Sequence, residues 1–156
     1  MMNMLDNFSS KLCVYLSYPI TGYFGNRLAV SIDEKVKEIK EEAGKLEIRC
    51  LDPLDNHHDP RDKSVLNVQS IVHDDELMMC KSCALIGLYL TPSPGQSMEM
   101  FYMKRVLGKP VYLFTPTFVR REKISSWVLY CCGDVTIYSR EQVRATLTVI
   151  FSELGK

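Results

Sequence analysis

Apolar positions along this chain follow two patterns in turn, and their alternation predicts the architecture. Short runs rich in β-branched and aromatic residues occur at 12–16, 47–51, 84–90, 110–114 and 134–138, each of strand length and bounded by turn-forming residues. Between them the period lengthens. From about 26 to 43, Ala29, Ile32, Val36 and Ile39 recur at three- and four-residue steps with Lys and Glu between them, and Gly44 is placed to end that helix. Further helices are predicted over about 64–81, from Ser93 to 107 with a stop at Gly108, over about 121–129, and from a cap at Ser139 to about 154. Residues 52–63 are polar, rich in Asp and Pro, and read as a long loop of the kind used as a lid.

Strands alternating with helices imply right-handed crossovers and a parallel sheet covered on both faces. Five such strands predict an α/β three-layer sandwich around a five-stranded parallel sheet, flavodoxin-like or Rossmann-like. Ligands of such folds sit beyond the carboxyl ends of the strands, near the switch point. That gathers residues 17–22, 52–63 and 91–99 around one crevice. GxGxxG and GxxxxGK[ST] are absent, which argues against a dinucleotide or P-loop site. A flavin mononucleotide is compatible with the architecture alone.

Composition narrows the field. The 156 residues are expected to form one domain, with residues 1–10 a flexible N-terminus. Nineteen basic and nineteen acidic residues cancel, so neither a nucleic-acid polymer nor an anionic membrane is the expected partner. The longest apolar runs are strand-length, and 1–10 lacks the pattern of a secretion signal, so the expected location is cytoplasmic. Six cysteines include Cys80-x-x-Cys83 and adjacent Cys131 and Cys132. The CxxC falls where a helix runs into a buried strand, and no second spaced pair completes a zinc set. Reduced, buried thiols are therefore expected, with no metal and no cofactor.

The stretch 91–100 concentrates the chemistry. It follows the apolar run 84–90 and opens a helix with Ser93 as N-cap, Pro94 at the first helical position and Gln96 where a capping-box partner belongs. The free N–H groups of such a start suit an anion. Glu99, further along, shares a helical face with Tyr102, Met103 and Val106. A carboxylate on an apolar face at the carboxyl end of a strand is a candidate for chemistry, and a half-exposed helical Glu is the plainer alternative.

With these residues placed, the chain resembles the nucleoside 2-deoxyribosyltransferase family, including its hydrolytic relatives, the 2′-deoxynucleoside 5′-monophosphate N-glycosidases. The resemblance rests on the segment from Val14 to Gly22 (VYLSYPITG), on Asp75 with the 84–90 strand, on Pro92-Ser93-x-Gly95-x-x-x-Glu99, on Gly108-Lys109-Pro110-Val111 and on Ser126-Trp127. It implies that Glu99 attacks the anomeric carbon to give a glycosyl ester, that Asp75 contacts the sugar or base and helps position Glu99, and that Tyr15 orients the nucleophile. It further implies that Ser17, Ile20, Thr21 and Gly22 wrap a 5′-phosphate, with Ser93 on the phosphate side and Gly95 in the same motif. Ser125 or Ser126 corresponds to a serine supplied from a neighbouring subunit, so a homodimer or higher homo-oligomer is expected, with a small nucleotide or nucleoside as its ligand.

Two departures from the family pattern stand out. Leu90 and Thr91 occupy the place of an Asp that transferases acting on free nucleosides carry, and Thr21 stands where the glycosidases have an Arg. Asn26 brings no replacement charge, and Arg27 is the nearest cation. The expected activity is cleavage of a (deoxy)nucleoside 5′-monophosphate. Base exchange on free deoxynucleosides and non-catalytic nucleotide sensing are the alternatives. His57 and His58 read as exposed loop residues able to reach a base, and Trp127 as a packing or interface residue.

Overall fold

The computed structural model describes residues 11–20, 28–56, 58, 59, 61–117 and 119–155. Thr21, Gly22, Asn26, Arg27, His57 and residues 1–10 lie outside them. Five strands, β1 (Cys13–Ser17), β2 (Arg49–Leu51), β3 (Ala84–Leu88), β4 (Val111–Thr115) and β5 (Val135–Ile137), form one parallel sheet in the order β2-β1-β3-β4-β5. Register pairs Val14 with both Cys50 and Ala84, and Leu85 with Val111. This is the doubly wound order in which the chain reverses direction between β1 and β3, leaving a crevice at their carboxyl ends.

Side-chain alternation along the strands divides the interior in two. Val14, Leu16, Ile86 and Phe114 pack under α1 (Leu28–Lys45) and α5 (Arg140–Leu154), against Ile32, Val36, Ile39, Leu147 and Ile150. Tyr15, Leu85 and Leu113 face the opposite layer of α2 (Val65–Lys81), α3 (Pro94–Phe101) and α4 (Ser126–Cys132), meeting Met79, Met100, Met103 and Val128. Every residue of β3 is buried, as a central parallel strand requires.

Several boundaries differ from the sequence expectation for identifiable reasons. Helix α1 runs through Gly44. The left-handed conformation expected there falls instead on Glu47 (φ 57°), with the Ile48 N–H closing the turn on the Ala43 carbonyl at 3.0 Å. The 52–63 loop contains a short 3-10 turn, Pro53–Asn56. Beyond α3 the helix widens into a π turn, Tyr102–Val106, before Gly108 (φ 63°) ends it. The extra residue in that turn rotates later positions, so Met103 stays buried while Val106 swings out to 61 % exposure.

Helix α1 also buries a carboxylate. Glu42 is sealed between α1 and α5, bonded to Arg140 at 2.7 Å, Arg144 at 2.9 Å and Lys45 at 2.9 Å. These cations, Arg144 first, hold its pKa well below the usual carboxylate range.

Candidate active site

The site begins with strand geometry. Residues two apart on a strand point to the same face, so Tyr15 and Ser17 of β1 both project towards α3. There they meet one carboxylate. The Tyr15 hydroxyl donates to Oε1 of Glu99 at 3.1 Å, and the Ser17 hydroxyl donates to Oε2. Tyr15 is wholly buried.

The first turn of α3 fixes the opposite side. Ser93 caps the helix, its hydroxyl accepting from the Gln96 N–H at 3.4 Å, and Pro94 opens the first turn. The expected capping box, however, is only half formed. The buried Gln96 side chain turns away and donates to the backbone carbonyls of Ser17 at 3.0 Å and Leu88 at 2.9 Å. Those carbonyls lie at the diverging ends of β1 and β3, so one amide spans the switch point. Gln96 and Glu99 are three residues apart on α3, which aligns the clamp with the carboxylate above it. Gly87 leaves room for this amide: a Cβ there would lie 3.4 Å from Gln96 Nε2 and 2.6 Å from Leu113 Cδ1.

Glu99 lines a cavity of about 400 Å³ between α2 and α3, together with Val72, Asp75, Met79, Gly95, Met98 and Tyr102. Burial among these mostly apolar neighbours pushes Glu99 up to about 7. The like charge of Asp75 adds to that push, and the hydrogen bonds from Ser17 and Tyr15 oppose it. Burial likewise raises Asp75 to about 6, aided by Asp74 and opposed by His58. His58 contacts Asp74 at 2.6 Å and so ties the loop after β2 to the helix carrying Asp75. Burial and the nearby carboxylates of Glu99 and Asp75 raise the Tyr15 phenol, which keeps it a donor. Two carboxyl groups with raised pKa values therefore share one recess, and one is held by two hydroxyl donors. That arrangement suits a nucleophilic carboxylate beside a proton donor.

The remaining expected residues fall in different places. Gly95 lines the cavity. Ser17 bonds Glu99, a contact the sequence reading did not foresee, although its two-residue spacing from Tyr15 carries the signal. Ile20 packs against the α1 side of the core. Ser125 caps α4, accepting from the Trp127 N–H at 3.3 Å. Ser125 and Ser126 are both exposed, and neither lines the cavity of its own chain. All six cysteines are free; Cys131 is buried, but Cys80 is exposed, contrary to the expectation of buried thiols. Among the described residues, no group of three or more His, Cys, Asp and Glu side chains could hold a metal ion, and no helix is long and apolar enough to cross a membrane.

No protein-family model matches the chain, and comparison with curated proteins finds no match. Solved structures do match. A 2-deoxyribosyltransferase from Bacillus psychrosaccharolyticus is similar over 86 % of this chain and 95 % of its own, with TM-score 0.64 and 20 % identity. A 2-deoxyribosyltransferase from Leishmania mexicana is similar over 88 % of this chain and 97 % of its own, with TM-score 0.56 and 16 % identity. The Clostridium botulinum CMP N-glycosidase is similar over 88 % of this chain and 98 % of its own, with TM-score 0.54 and 11 % identity. The chain shares their α/β fold from one end of the sheet to the other.

Proposed function

We propose that this protein cleaves the N-glycosidic bond of a (deoxy)nucleoside 5′-monophosphate by double displacement through Glu99. The observation that carries this reading is the Glu99 carboxylate, held by Tyr15 and Ser17 in the wall of a cavity it shares with Asp75. Similarity to proteins described as deoxyribosyltransferases and as a CMP N-glycosidase supports the same class of chemistry.

In the first step an oxygen of Glu99 bonds to C1′ as the C1′–N bond breaks, and the electron pair of that bond leaves with the base. The departing nitrogen takes a proton. Asp75 shares the cavity with Glu99, and between about 6 and 7 the pair holds a single proton, which serves this step when it sits on Asp75 and leaves Glu99 ionised. In the second step water attacks C1′, its proton passes to the carboxylate now at Asp75, and the Glu99 ester is released as free carboxylate. Two inversions retain the configuration of the sugar, as in retaining glycosidases. Low polarity around Glu99 weakens its solvation and favours attack.

Incubating nucleoside monophosphates with the protein and following free base by chromatography tests this reading. Base release without an acceptor is the expected outcome, and absence of release from every nucleotide and nucleoside overturns it. Transfer of the sugar to a second base is the rival reading, favoured by the likeness to the two deoxyribosyltransferases. It predicts turnover only when a second base is added.

We also infer a homodimer. Val72, Met98, Phe101 and Trp127 are exposed apolar residues on α2, α3 and α4, and Met98 borders the cavity itself. A second copy on this face would enclose the site and bring in Ser125 and Ser126 of its own α4.

A further inference from the structure

A second cleft, of about 310 Å³, opens on the other side of the α3 start, beyond the carboxyl ends of β3 and β4. Thr91 and Pro92, just before the Ser93 cap, form one wall. Arg120 and Lys123, from the turn before α4, form the other, and Tyr89 lines the cleft as well. Four features single it out. The Arg120 and Lys123 side chains make no hydrogen bond or ion pair with any described residue. Tyr89 is only 4 % exposed, yet its hydroxyl also lacks a hydrogen-bond partner among the described residues. No carboxylate of the described residues lines the cleft; Asp134 is engaged by Arg121 at 3.3 Å, outside it. The cleft also borders the eight-residue helix α3 at its positive end.

The catalytic cavity has the opposite character. Among the described residues, Asp75, Glu76 and Glu99 line it and no cation does, and these carboxylates repel a phosphate group. Pro92 of the cationic cleft and Gly95 of the acidic cavity are three residues apart, no more than about 10 Å of chain. The first turn of α3 thus divides an acidic recess from a basic one.

We propose that the cleft formed by Tyr89, Thr91, Arg120 and Lys123 is a binding subsite for a phosphate monoester. Its guanidinium, ammonium and hydroxyl donors are the groups that recognise a phosphate dianion. If the phosphate is the substrate's own, the subsite supplies the cation missing at Thr21, and that assignment rests on the glycosidase reading. Binding of phosphate itself does not.

Inorganic phosphate is the probe. It is titrated into the full-length protein while amide NMR shifts of Thr91, Val119 and Lys123 are followed, for the wild type and for R120Q/K123Q. Both changes fall on exposed side chains, so the variant folds, which its amide spectrum verifies directly. The expected result is saturable shifts in the wild type, a loss of affinity of about tenfold or more in the double variant, and partial recovery in R120K/K123Q. Inhibition of nucleotide cleavage by phosphate then separates the sources. Competitive inhibition assigns the subsite to the substrate's 5′-phosphate; binding without competition assigns it to a separate phosphorylated ligand. Equal phosphate affinity in wild type and double variant, or shifts confined to other segments, overturns the proposal. A protein that releases no base yet binds phosphate through Arg120 and Lys123 refutes the glycosidase reading and leaves the subsite standing.

Discussion

The Tyr15 hydroxyl donates to Glu99 at 3.1 Å, joining the middle of β1 to the second turn of α3 across 84 positions of chain. With Ser17 on the other oxygen, the carboxylate is fixed in orientation, and both donors favour its ionised form against burial. Replacing Tyr15 by Phe keeps the buried ring and removes only the donor. We expect the protein to remain folded and kcat to fall about 100-fold, the lower end of the cost of losing one preorganised donor. Steady-state kinetics with circular dichroism on the same samples checks this.

Glu99 must be ionised and Asp75 protonated in the first step, so kcat/KM should be bell-shaped in pH, its two limbs set by the pair near 6 and 7. Substitutions shift the Glu99 ionisation midpoint in predictable directions. Asp75→Asn removes a like charge and lowers it, while Ser17→Ala and Tyr15→Phe remove donors to the carboxylate and raise it. Asp75→Asn also removes the proton donor and should slow the reaction about 100-fold. Identical midpoints in wild type and all three variants would refute this electrostatic account.

Stability should follow the same ionisation. An acid whose pKa is raised on folding holds its proton more tightly in the native state, so its contribution to stability is present below 4.5, the ordinary value, and is lost as pH rises through about 7. Glu99→Gln abolishes that loss. The variant's Tm should exceed the wild type's by about 2–5 °C near pH 8, with the difference closing towards acid. Calorimetry across this range measures it.

Much of this arrangement is legible in the sequence. Strand and helix periods place Tyr15 beneath the layer that holds Glu99, and the Ser93-Pro94 pair marks the start of α3. The Gln96 clamp is not legible, because capping-box spacing directs that side chain to its own helix terminus. Its actual acceptors, Ser17 and Leu88, come together only once β1 and β3 are adjacent. Val106 leaves the face its helical period predicts because a π turn cannot be read from a regular period. Glu42 reads locally as one more solvated charge; its Arg partners lie 98 and 102 positions away.

That buried carboxylate has its own consequence. The Glu42 pKa is depressed, so its stabilisation is present above its ordinary value of 4.5 and is lost as pH falls below it. Glu42→Ala leaves Arg140 and Arg144 without their shared acceptor. Its Tm should fall by about 5 °C or more at neutral pH, and the deficit should shrink in acid. Thermal melts at neutral and acid pH test both parts.

The exposed apolar face makes a different prediction. Trp127 is 68 % exposed and meets Phe101 edge-on at a ring separation of 6.1 Å. If this face joins two copies, Trp127→Glu should yield a folded monomer by sedimentation velocity and lower activity about tenfold or more, because each site would lose its cover. A variant that sediments like the wild type would remove this face from the assembly.

The most direct measurement is peptide mass spectrometry on protein quenched in acid during turnover of a nucleoside monophosphate. The account predicts a transient added mass, equal to the sugar phosphate less one water, on the peptide containing Glu99 and absent from Glu99→Gln. An adduct on another residue, or sustained base release by Glu99→Gln, would contradict it.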